Sequence, residues 1–107
     1  MDAAEVIAER VLVFVSPEGS EFVSSIRFSR CYVSDKFGVC CDFEIPGVAK
    51  RRLSAGVDSV QAIQIAMSLA ATILDLHVSK GWKMLWPDTR EEVTVKEMFG
   101  ERRASAK

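Results

Sequence analysis

The sequence predicts an α+β domain, an antiparallel meander of three to four strands packed against one long α-helix, with a short C-terminal element. Three observations lead there. Apolar and polar residues alternate with period two through the first half of the chain, between turns rich in Pro and Gly. After Val57 the spacing changes to three and four and holds to Gly81. The strand connections are short, which favours antiparallel neighbours. With 107 residues the chain has the length of one domain, expected over 1–100, with 101–107 a frayed tail of small and charged residues.

The first strand is the run Val11-Leu12-Val13-Phe14-Val15, continuously apolar and therefore read as a central strand buried on both faces; Ser16-Pro17-Glu18-Gly19 closes it. Over 21–30, Phe22, Ile26 and Phe28 share one face against Ser25, Arg27 and Ser29. The third run sets Phe37, Val39, Cys41, Phe43 and Ile45 against Asp42 and Glu44, and places Cys40 on the outward side. Pro46-Gly47 ends that run, and a short fourth strand over 48–53 follows.

A helix is expected over 59–80. Asp58 stands at the N-cap with Gln61 three residues on, a capping-box variant, and Gly81 suits the position just past the end. Its polar residues Gln61, Gln64, Ser68, Thr72, Asp75 and Ser79 fall in one narrow stripe. Val60, Ile63, Met67, Ala70 and Leu74 make an apolar row, with Ile65, Leu69, Ile73 and Leu76 as a second row beside it. A helix lying on a sheet needs an apolar arc of about 100°, and this one is about twice as wide. Either the segment after Gly81 covers the second side, or another copy of the chain does. That segment offers Trp82, Met84 and Trp86 on one face of a short edge strand stopped by Pro87. Residues 91–99 fit a strand through Val93 and Val95 or a terminal helix.

Composition narrows the chemistry. Hydrophobic residues make up 49% of the chain, a high share for so small a domain. Lys and Arg number 14 against 15 Asp and Glu, a net charge of −1 that carries no nucleic-acid footprint. The acidic start Asp2-Ala3-Ala4-Glu5 and Arg10 do not fit a secretory signal. Gln61, Gln64, Asp75 and His77 would be costly inside a membrane span. Cys31, Cys40 and Cys41 are odd in number, and adjacent strand residues point to opposite faces, so a reduced cytoplasmic protein without a disulfide framework is expected.

No catalytic, metal or cofactor constellation emerges. His77, the single histidine, has no partner at zinc-ligand spacing and reads as a packed side chain. Cys41 shares an apolar face, and Cys40 would need a base and a lowered pKa to act as a nucleophile. Asp42 and Glu44 share a face too open for a general acid. No phosphate-loop pattern surrounds Gly56. Two sets of residues remain as candidates. Lys50, Arg51 and Arg52 precede a helix start at Ser59 whose free N–H groups suit an anion, although Asp58 already carries negative charge there. Trp82 and Trp86, with Ile65, Leu69, Ile73 and Leu76, are candidate interface residues, the tryptophans equally suited to covering the end of the core.

Cys41-Asp42-Phe43-Glu44-Ile45-Pro46-Gly47, followed by Gly56-Val57-Asp58-Ser59-Val60-Gln61-Ala62-Ile63-Gln64, resembles a family of small uncharacterised bacterial proteins with a GVDS-x-QA helix start. The resemblance covers a third to a half of the chain; Trp86-Pro87 matches only in part the Gly-Phe-Pro-like ending that follows the helix in the family. It implies no activity, cofactor or metal. The resulting expectation is a non-enzymatic protein-interaction module that self-associates as a homodimer, with a partner protein also compatible and no nucleic-acid or membrane partner. The alternative is a small-ligand or anion-binding protein using the segment 50–61.

Overall fold

In a computed structural model that describes residues 1–100, the apolar run at 11–15 forms the second half of strand β1 (Val6–Val15). Tail residues 101–107 lie outside the described residues. Only Val13, Phe14 and Val15 have a strand on both sides, β2 (Glu21–Ser29) on one and β6 (Lys83–Leu85) on the other. Leu12, Val13 and Phe14 are buried, so the central-strand reading holds for this half. The first half of β1 pairs with β2 alone and is exposed from Ile7 to Val11. Phe22, Ile26 and Phe28 turn to one face of β2, toward the core.

Three further strands follow: β3 (Tyr32–Ser34), β4 (Gly38–Ile45) and β5 (Ala49–Gly56). The sheet therefore has six strands rather than three or four. The meander survives as β1, β2, β4 and β5, all antiparallel, with β6 added beside β1. β3 is a continuation of β2 along the same edge of β4. Phe28 stands opposite Phe43 and Tyr32 opposite Cys40, so one extra residue is inserted between them on the β2–β3 side. Side chains take up the backbone groups that this bulge frees. The Asp42 N–H donates to Ser29 Oγ at 2.8 Å, and the Cys41 thiol donates to the Ser29 carbonyl at 3.3 Å.

Three expectations about β4 are corrected: the face carrying Asp42, expected to be open, is covered, and Asp42 is 6% exposed beneath Tyr32 and Arg51. Cys40, expected to face outward, is 0% exposed, because Tyr32 and Ala55 stand opposite it on the two flanking strands. Phe37, expected on the apolar face, lies in the turn before β4 and is exposed.

Helix α1 (Ser59–Ser79) starts and stops as its sequence dictates. Asp58 Oδ1 accepts from the Gln61 N–H at 2.9 Å, while Gln61 Oε1 accepts from the Val57 N–H at 2.7 Å. At the other end Gly81 takes φ +104°, and the N–H groups of Trp82 and Gly81 reach the carbonyls of His77 and Val78, a Schellman motif. α1 lies over β4 and β5 and buries Ala62, Ala66, Ala70, Ala71 and Leu74. Small side chains let it approach closely: a Cβ placed on Gly56 would sit 2.7 Å from the Ala62 nitrogen. The row read as Val60, Ile63, Met67, Ala70 and Leu74 is thus rotated toward the alanines, leaving Val60 and Met67 exposed.

After β6 both readings of 91–99 are partly realised. Glu92 bridges Leu85 in antiparallel fashion, and helix α2 (Val95–Phe99) follows, started by a capping box between Thr94 and Glu97. α2 packs beside α1, and Val93 and Val95 complete the core.

Candidate functional site

The predicted anion set is not brought together. Arg51 points to the sheet face opposite α1, where its Nε donates to Asp42 Oδ2 at 2.6 Å and its Nη2 to Glu5 Oε2 at 2.9 Å. Tyr32 donates its hydroxyl proton to the other Asp42 oxygen at 2.7 Å. Lys50 and Arg52 are exposed, with Arg52 opposite Phe43 on the helix side. Ser59 lies beyond the far end of β5, which runs about 13 Å from Arg52 to Gly56 at 3.3 Å per residue. A bulge between the Phe43–Arg52 and Ile45–Ala49 pairs further distorts the basic stretch.

The shifts here and beside the network hold the carboxylates ionised and the phenol and thiol protonated. The hydrogen bond from Arg51 is the largest influence on Glu5, followed by the Asp2 backbone N–H, and its pKa falls to about 2. Glu9 is held below its ordinary range by Ser25 first and Arg27 second. Burial, and then the bond to Asp42, pushes Tyr32 up to about 12. Burial raises the Cys41 thiol to about 11, which suits a small core side chain better than a nucleophile. Among the described residues no three His, Cys, Asp or Glu side chains are placed to hold a metal ion. The network's evident work is mechanical: it ties the segment before β1 to the middle of the sheet.

The interface candidates separate into two groups. Trp82 and Trp86 pack against the core, half-buried: Trp82 meets Phe22 edge-on at 6.1 Å and His77 at 5.4 Å, and Trp86 lies under the Arg10 guanidinium at 5.3 Å. On α1 the flank bearing Met67 faces α2, since Met67, Met98 and Phe99 line one cleft. The flank bearing Ile65, Leu69, Ile73 and Leu76 lies on the far side of the helix, toward β5. There Ile65 and Ile73 are half-buried, whereas Leu69 is 38% and Leu76 54% exposed.

The cleft between α2 and the first half of β1 was not predicted. It is a half-open cleft of about 130 Å³ lined by Ala8, Glu9, Arg10, Ile26, Phe28, Met67, Met98 and Phe99. Its residues come from four elements far apart in sequence, so periodicity within any one element does not reveal it. The one local signal is Arg10, a cation on the inward-facing parity of a strand, opposite Ile26.

Such a molecule belongs to the class of α+β domains in which an antiparallel sheet carries helices on one face and a polar network on the other. Within that class a family model described as Domain of unknown function (DUF6968) matches residues 8–96, and the chain belongs to this family. No curated protein and no solved structure matches it.

Proposed function

We propose that the chain is a cytoplasmic, non-enzymatic protein-interaction module that forms a homodimer through the α1 flank carrying Ile65, Leu69, Ile73 and Leu76. The carrying observation is that α2 covers one flank of α1 and leaves the other with two exposed leucines a helical repeat apart. Residues seven apart share a helix face, so Leu69 and Leu76 present one continuous apolar stripe. Three free thiols, Cys31, Cys40 and Cys41, support a reducing compartment. The helix start from Gly56 to Gln61 is proposed as the family's local signature, because the close approach at Gly56 and the Asp58–Gln61 cap both restrict residue type.

Sedimentation at micromolar concentration tests the assembly. The wild type is expected to run as a dimer and the double variant Leu69→Glu, Leu76→Glu as a folded monomer; a wild type that stays monomeric sinks the reading. Anion binding at 50–61 has less support, since Arg51 already holds two carboxylates and Ser59 lies at the opposite end of β5.

A further inference from the structure

We propose that the cleft beside the first half of β1 binds an extended peptide segment carrying an acidic residue and, two positions later, a large apolar one. The site is distinct from the α1 flank. Among the described residues, β1 has no partner strand on its outer edge before Val13, so its main-chain groups there are open to pairing. The cleft lies over the helix-side face of β1 and β2, beside that edge. Ala8, Glu9 and Arg10 all line it, although the Glu9 carboxylate is committed to the opposite face, where it accepts from Ser25 and Arg27 at 2.8 and 2.9 Å. What Glu9 presents to the cleft is therefore main chain, and an extended chain is the ligand that meets a strand edge with alternating hydrogen bonds.

Side-chain chemistry selects which extended chain. The depth of the cleft is apolar, formed by Ile26, Phe28, Met67, Met98 and Phe99, and its volume of about 130 Å³ is close to the ~150 Å³ that accepts a benzene ring. Arg10 stands at the rim. It stacks on Trp86 and forms no ion pair among the described residues, so its charge has no partner of opposite sign among them. Ala8 and Arg10 are two apart on the same face of β1, opposite Phe28 and Ile26. An antiparallel strand added to this edge meets Arg10 first and Ala8 second. Its residue facing Arg10 is acidic, and the residue two positions on enters the cleft beside Ala8.

The probe is a fluorescein-labelled heptapeptide of Thr and Val with Glu in third place and Phe in fifth, read by fluorescence anisotropy against the full chain. A companion peptide replaces the Glu by Lys. Saturable binding of the first peptide is expected, with Arg10→Glu weakening it at least tenfold and restoring affinity for the Lys peptide. Arg10 is exposed, so this variant is expected to fold, and circular dichroism checks that it does. Absence of saturable binding overturns the proposal, as does affinity indifferent to Arg10→Glu. Peptide that dissociates a wild-type dimer also overturns it, because a second copy then occupies the cleft. The double variant Leu69→Glu, Leu76→Glu is expected to keep peptide affinity unchanged, so failure of the dimer and failure of the peptide site are read separately.

Discussion

Glu5 shows how a single residue, with no periodic pattern around it, fastens one part of the chain to another. It sits ahead of β1, yet its carboxylate receives Arg51 from β5 and its carbonyl receives the Arg30 N–H at 2.8 Å. Arg51 is in turn fixed by Asp42, whose second oxygen takes the Tyr32 hydroxyl. The alternative reading of the sequence gives Arg51 an external anion. In the structure its anions are internal, 9 and 46 positions away along the chain, beyond the range of any local pattern. The pKa of Glu5 falls from its ordinary 4.5 to about 2, so the folded state favours the ionised carboxylate. Its contribution to stability is complete above about pH 4.5 and is lost as pH falls toward 2. Urea unfolding of wild type and Glu5→Gln across that range checks this. The gap in midpoint between the two proteins is expected to be constant above pH 4.5 and to close by about pH 2. Glu9, also held below its ordinary range, drops out of the comparison because both proteins retain it.

Among the elements, those governed by local rules were legible. α1 is capped at Asp58 and stopped before Gly81 by residues within four positions of its ends. The apolar half of β1 was legible for the same reason, and so was the shared face of Trp82 and Met84. β3 and the first half of β1 were not. β3 is three residues long and exists as the continuation of β2 past a bulge, and Ala8-Glu9-Arg10 has no apolar face because α2 leaves it open. Cys40 misled because alternation assumes one wet face, and this stretch of β4 is covered on both. The junction of β5 and α1 offers a comparison of two local devices. Asp58→Ala removes the cap and is expected to cost about 1 kcal/mol, whereas Asp58→Asn keeps it. Gly56→Ala places a Cβ 2.7 Å from the Ala62 backbone nitrogen, where neither strand nor helix start can yield alone, and is expected to cost about 1–3 kcal/mol. Chemical denaturation of the three variants ranks them: Gly56→Ala at least as damaging as Asp58→Ala, and Asp58→Asn close to wild type.

At the scale of the whole molecule, the apolar surplus of the chain resolves onto the two flanks of α1, and the flanks differ in kind. One is closed by the chain itself. Val93 and Val95 are 2% and 5% exposed, and they seat α2 beside Met67 and the face of Ile26 and Phe28. The other carries Leu69 and Leu76 and has no cover among the described residues. Covering a surface within a chain is a unimolecular event, whereas covering it with a second copy follows mass action and depends on concentration. Damage to the two flanks should therefore be separable by dilution. Val93→Ala with Val95→Ala removes methyl groups from a filled core and is expected to lose on the order of 3 kcal/mol at every protein concentration, a large share of the 5–15 kcal/mol typical of a domain. Leu69→Glu with Leu76→Glu leaves the monomer's core intact, so its melting temperature is expected to equal that of wild type at high dilution and to fall below it as concentration rises. Thermal unfolding of the three proteins over a hundredfold range of concentration measures both effects. A wild-type melting temperature that does not rise with concentration would mean that the second flank is exposed in the working protein and that the width of the apolar arc serves something other than a second copy of the chain.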